Sequence, residues 1–150
     1  MNNKIDLEYA KKFKELGVKQ ESEFYYIAPK ESTSYELVSI ERIRLYREIY
    51  TKGVAKISAF TVGELGEMLP YDFSVPYKYE KIDLTSNVYM ECRITCWIDS
   101  SRTPRLYGIN IESQYEARMI FKDVYDKSEA NVRAKMLIYL IENKLVGIPK

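Results

Sequence analysis

Histidine is missing from all 150 residues of the chain. Its absence removes the commonest general base, the commonest metal ligand and the usual pH switch near neutrality. Cysteine occurs only twice, as Cys92 and Cys96. Without histidine, two thiols fall short of the four nitrogen or sulfur ligands that a structural zinc site takes. The charged start MNNKIDLEYAKKFKEL has no apolar leader, and with so few cysteines a reducing cytosol with free thiols is expected. The longest apolar run, MLIYLI over 136–141, is far below the ~20 residues that span a bilayer. Neither G-x-x-x-x-G-K-[ST] nor G-x-G-x-x-G occurs, so the common phosphate-binding loops are excluded. Charge of one sign is lacking too: 23 basic against 22 acidic residues leave +1. Such a balance offers no broad field for duplex DNA or an anionic membrane. The expectations are no membrane, no cofactor, no metal and no strong duplex nucleic-acid binding.

What the chain does have is the balance of a folded protein, 46% hydrophobic and 30% charged. Its length fits one domain, 1–150, which buries roughly 70% of its unfolded surface without needing a disulfide or metal. No repeat or Gly/Ser linker divides it. Tyrosine stands out at 14 residues, a side chain that gives large contact area at low entropic cost in interfaces and stacking pockets.

Periodicity sets the elements. Asp6 to Leu16 places Tyr9, Phe13 and Leu16 on one helical face, with Gly17 as the stop. EFYYI (23–27) and YELVSI (35–40) read as a β-hairpin, and IERIRLYREIY (40–50) turns to helical rhythm through Ile43, Tyr46 and Tyr50. AFTVGELGEMLP (59–70) carries a T-x-x-E capping box, Thr61 and Glu64, before Val62, Leu65 and Leu69 line one face. PYDFSVPYKYEKIDLTSN reads as irregular; strands follow at 87–98, 105–112 and 115–121. Ser128 is a natural N-cap for a last helix whose stripe is Ala134, Leu137, Ile138, Ile141 and Leu145. The fold class is α+β: an N-terminal helix, a β-hairpin, two short helices, a three-stranded antiparallel meander, and a C-terminal helix packed on that sheet.

VYMECRITCWID (88–99) alternates strictly, with Cys92 and Cys96 on one face. At ~3.3 Å per residue they lie ~13 Å apart, beyond the ~7 Å between Cα atoms that a disulfide tolerates. Both thiols therefore read as core filler. The opposite face carries Tyr89, Arg93 and Trp97. An arginine between two aromatics can hold an anionic ligand whose base stacks on a ring. The plainer reading is a second covered face, with Arg93 neutralised by Glu91 or Asp99. Arg44, Tyr46 and Arg47 form a second candidate, suited to phosphate or an acidic partner; a solvated helix face balanced by Glu41 and Glu48 is the alternative. GELG (63–66) has the spacing of a G-x-x-G nucleic-acid loop, but Glu64 would repel phosphate. Close packing of a short helix explains these glycines better. No catalytic motif is present, and carboxylate pairs such as Glu64/Glu67 and Glu112/Glu116 gain meaning only in a cleft.

AFTVGELGEMLP and EANVRAKMLIYLIENKLV, with YEKIDLTSN and LGVKQESEFYYI in the same order, resemble blocks of small proteins encoded by bacteriophages and prophages. That group brings no established reaction, cofactor or catalytic residue to carry over. The resemblance implies an accessory factor in the host cytoplasm that binds something of the host. A counter-defence protein that sequesters a nucleotide signal or binds a host protein is its most specific form. Tyr89, Arg93, Trp97, Arg44, Tyr46 and Arg47 are the expected ligand-binding residues. A self-assembling homo-oligomeric interaction module and a single-stranded nucleic-acid binder are the alternatives.

Overall fold

The computed structural model describes residues 3–29, 32–76, 89–113 and 120–150, with backbone alone at 75–76, 89–91, 113 and 120–121. The first helix, α1 (Leu7–Glu15), ends where Gly17 turns to a φ of 80°, a left-handed conformation that favours glycine. Three strands, β1 (Phe24–Pro29), β2 (Glu36–Ser39) and β3 (Val54–Ser58), form an antiparallel sheet in the order β2-β1-β3. Between β2 and β3 lie α2 (Ile40–Leu45) and α3 (Arg47–Thr51). After α4 (Val62–Met68), a second antiparallel sheet runs β4-β5-β6-β7. Its strands are β4 (Asp72–Pro76), β5 (Tyr89–Asp99), β6 (Leu106–Ser113) and β7 (Ile120–Asp126). The last helix is α5 (Glu129–Glu142).

The α+β class, the terminal helices and the antiparallel sheets agree with the sequence reading. Both anticipated helix starts are also found. Thr61 accepts from the Glu64 N–H while the Glu64 carboxylate accepts from the Thr61 N–H at 2.6 Å. Ser128 accepts from the Asn131 N–H. Four details differ. The hairpin gains a third strand, β3, and the meander gains a fourth, β4, inside the segment read as irregular. The last meander strand lies at 120–126, with 115–119 outside the described residues. The helix expected over 40–50 is broken at Tyr46, whose ψ of 46° leaves the helical region.

The C-terminal helix departs most informatively. Of the stripe that was to face the meander, Leu145 packs on the cluster of that sheet, and the rest packs elsewhere. Ala130, Ala134, Leu137 and Ile141 join Phe13, Val18, Ile57, Phe60 and Leu65 from α1, α4 and their neighbours. The sheet is met by Val132, Met136 and Leu140, which pack on Cys92, Ile94, Ile109 and Ile111. Because α5 is apolar on two flanks, periodicity alone could not say which flank meets which neighbour. A third, smaller cluster of Tyr25, Ile27, Val38 and Ile43 fills the far side of the first sheet under α2.

Polar contacts fix the two ends of this arrangement. Buried Asn131 accepts from the Asp6 N–H at 3.0 Å and donates to the Asp6 carboxylate at 2.8 Å, locking the start of α1 to the start of α5. Lys135 of α5 donates to Asp126 of β7 at 2.6 Å. Burial opposes the charge on Asp126, but the Lys135 ammonium and the Ser128 and Lys127 N–H groups outweigh it and hold the carboxyl below its ordinary value. A lowered native pKa gives stability that is complete above the unfolded value of about 3.9 and lost as pH falls through the native one. Asp126→Asn should therefore cost about 1 kcal/mol at pH 7, and urea titrations should find the difference closing below about pH 4.

Candidate functional site

Two surfaces gather the residues singled out in the sequence. The first is the outer face of the β4–β7 sheet. Register places Arg93 between Asp72 of β4 and Glu112 of β6, all on the face away from α5. Arg93 donates to Asp72 at 3.2 Å and its guanidinium lies 5.0 Å from the centre of the Tyr71 ring. Of the two partners expected for Arg93, Asp99 instead binds Arg102 and Ser101, and the Glu91 side chain lies outside the described residues. The arginine is thus neutralised, but by a strand that the sequence reading did not resolve. Tyr89 belongs to β5, while its side chain lies outside the described residues.

Trp97 does not stand out as a stacking post. It faces Gly108 in register, and its indole lies over that glycine. A Cβ at Gly108 would coincide with the Cε2, Cζ2 and Nε1 atoms of the ring. One face of the indole is thereby fixed on backbone, an aromatic filling the gap a sheet glycine leaves. Beside it lies Asn110, opposite Thr95 and Asp123. Asn110 is 8% exposed; its amide donates to Glu112 at 3.0 Å, but its Oδ1 has no hydrogen-bond partner among the described residues. The donor bond to Glu112 fixes which amide atom is the oxygen. Leaving such an acceptor unpaired costs about 1–3 kcal/mol. Tyr125, 60% exposed, flanks Gly108 on the β7 side.

The inner face of the same sheet is covered only in part. Cys92 and Ile94 are buried beneath α5, whereas Cys96 and Ile98 are exposed beyond it. Cys96 is therefore not core filler, since β5 outruns the helix that covers it. It lines a cleft of about 340 Å³ with Ile98, Tyr107, Ile109, Val132 and Arg133. Neither cysteine is joined in a disulfide.

The second surface is the knuckle where α2 meets α3. Arg44, Tyr46 and Arg47 are all exposed there. Arg44 lies in α2 and Arg47 in α3, on either side of the break at Tyr46. What the sequence reading missed is their apolar company. Leu45 is 79% exposed, Ile49 65% and Tyr46 53%, and α3 has no buried residue. Arg42 is drawn aside toward Glu36 at 3.6 Å.

The carboxylates considered for chemistry are otherwise occupied or outside view. Glu64 closes the capping box and also accepts from the Ser22 hydroxyl and the Glu23 N–H. Glu116 lies outside the described residues. The G-x-x-G glycines pack as expected at one position: a Cβ on Gly66 would stand 2.9 Å from Arg133 Nη1. Among the described residues, no three His, Cys, Asp or Glu side chains are grouped to hold a metal ion, and no helix is long and apolar enough to cross a membrane.

Trp97 is the only tryptophan, so its emission reports its seat directly. Gly108→Ala should lift the indole from the backbone, shift emission to longer wavelength and cost about 1–3 kcal/mol. Unchanged emission in that variant would show that the indole does not occupy this seat. Comparison of the chain with protein-family models, with curated proteins and with solved structures gave no match.

Proposed function

We propose that this is a non-catalytic binding protein whose α2–α3 knuckle engages a partner protein. The observation that carries this reading is the exposure of Leu45, Tyr46 and Ile49 side by side with Arg44 and Arg47. Apolar side chains gathered on a surface favour a contact that removes them from water. Tyrosine and arginine are the residue types that dominate interface energetics when desolvated. The resemblance to phage and prophage proteins suggests a host protein as the partner and the host cytoplasm as the place.

Charge favours a protein over a nucleotide. On the outer sheet face, Arg93 lies between two carboxylates in register, Asp72 and Glu112, which would oppose a phosphate there. A cleft of about 510 Å³ beside α4 is lined by Glu21, Glu64 and Glu67 against Lys19 and Lys150, again a poor seat for an anion. Among the described residues, these two places supply no cluster of unopposed cations of the kind that phosphate recognition uses.

A photoreactive amino acid at position 45, introduced in cells of the bacterial host, tests the reading. The expected result is a covalent adduct with one host protein, absent when the probe stands at exposed Lys144 and lost on combining Arg47→Glu with Ile49→Ser. Because Ile49 is 65% exposed, Ile49→Ser alone should leave stability within about 0.5 kcal/mol, so loss of the adduct would not reflect unfolding. An adduct only with a second copy of the chain would overturn the reading in favour of self-assembly.

A further inference from the structure

Each sheet ends in two edge strands, β2 and β3 in the first, β4 and β7 in the second. An edge presents a row of main-chain N–H and C=O groups that another strand can pair with, and folds blunt such rows with proline, charge or irregularity. Alternation along each strand shows what its row meets. Just after β3, the Ala59 N–H donates to Phe24 of β1, so Ser58 and Lys56 turn outward. Both are capped: the Ser58 N–H donates to Gln20 at 3.0 Å, and the Lys56 C=O accepts from the Lys14 ammonium at 3.1 Å. Before β4, the Tyr71 C=O accepts from the Ile94 N–H, which puts Asp72, Ser74 and Pro76 in the outward row, where proline offers no donor. In β7 the pairing with β6 shifts register, and Lys135 donates to the Tyr125 C=O at 3.2 Å. Strand β2 differs. The Ile40 N–H donates to Glu23 at 2.7 Å, so Val38 and Glu36 turn toward β1 and Leu37 turns its N–H and C=O outward. Those two groups have no hydrogen-bond partner among the described residues, and the Leu37 side chain is 41% exposed. The one charge on the strand, Glu36, is drawn to Arg42. A length of four residues is the only protection left to this edge.

We infer that β2 pairs antiparallel with β2 of a second copy of the chain about a twofold axis at Leu37, joining two three-stranded sheets into one continuous sheet. The symmetry of the row carries this. In an isologous contact each group must meet its own counterpart, and a row centred on one outward residue does so. The Leu37 N–H of each copy donates to the Leu37 C=O of the other, and Ser39 N–H and Tyr35 C=O extend the ladder in the same register. The two Leu37 side chains then stand opposite each other on one face and leave water. Glu36 comes opposite Val38 of the other copy, so no like charges meet. An unrelated strand would satisfy the same main-chain groups without this match of side chains. A contact so small holds weakly and reversibly. It uses none of Leu45, Tyr46 and Ile49, so it stands or falls apart from the knuckle reading.

Sedimentation velocity of the full-length protein from about 10 μM to about 1 mM, the range of weak contacts, should show monomer and dimer in reversible exchange. Leu37→Pro removes an N–H that the single copy does not use, at an edge position where proline is tolerated. It should weaken dimerisation about tenfold or more, the scale of two lost main-chain hydrogen bonds, while circular dichroism and Trp97 emission stay as in the wild type. Leu37→Lys keeps the donor but sets like charges on the axis, and should weaken the dimer too. It carries the test if the proline variant fails to fold. Disulfide capture reads the register in a Cys96→Ser background. Hydrogen-bonded antiparallel pairs have Cα atoms about 5.5 Å apart, within disulfide reach, so Leu37→Cys should form a covalent dimer on oxidation and Leu45→Cys should not. A monomer over the whole range, a dimer that the folded Leu37 variants leave intact, or capture at position 45 in place of 37 would each overturn the inference.

Discussion

Helix α5 is buried along two flanks at once, and the rest of the molecule is arranged around that constraint. One flank gives Ala130, Ala134, Leu137 and Ile141 to the cluster with α1, α4 and β3; the other gives Val132, Met136 and Leu140 to the second sheet. A helix apolar over so much of its circumference cannot lie on a surface. It needs a neighbour on each side, and the two groups of elements supply one each. Asn131 and Asp6 then set the register of α1 against α5, because a buried amide at that point is satisfied only when both helix starts coincide.

The surfaces available for binding are what this core leaves over. Helix α5 covers one face of the β4–β7 sheet and falls short of its end, so Cys96 and Ile98 emerge beside a cleft while Cys92 and Ile94 do not. The other face stays open to solvent at Arg93, Asp123 and Tyr125. On the first sheet, α2 is anchored through Ile43 with Ile40 beside it, and after the break at Tyr46 α3 is held only by half-buried Tyr50. Leu45 and Ile49 are left in water there. The proposed contact would take these groups out of water, with the arginines around them setting what it accepts.

Much of the fold was legible because it rests on local chemistry. Thr61 and Glu64 define a capping box wherever they stand three apart before an apolar run, and the twelve-residue alternation through Cys92 and Trp97 admits only a strand. The missed pieces are those that only partners define. VAKIS and DFSVP are five-residue strands with mixed patterns, one of them ending in proline, and they become strands by pairing with β1 and β5. No proline or glycine marks the break at Tyr46. The candidate sites suffered similarly: Arg93 looked available because Asp72, twenty-one residues away, reaches it only once β4 has formed. The unsatisfied Asn110 carries no sequence signature at all, since an asparagine in a strand is unremarkable until its neighbours are known.

If α5 is the shared support of both sheets, its central amides can exchange with solvent only when the whole molecule opens. Native-state hydrogen exchange over increasing urea measures this residue by residue. Amides from Ala134 to Leu140 should share one opening free energy, equal to that of global unfolding and to that of the central strands β1 and β6. Exchange of those α5 amides through a lower-energy opening, with β5 and β6 still protected, would contradict the account and make the helix an accessory to a sheet that stands without it.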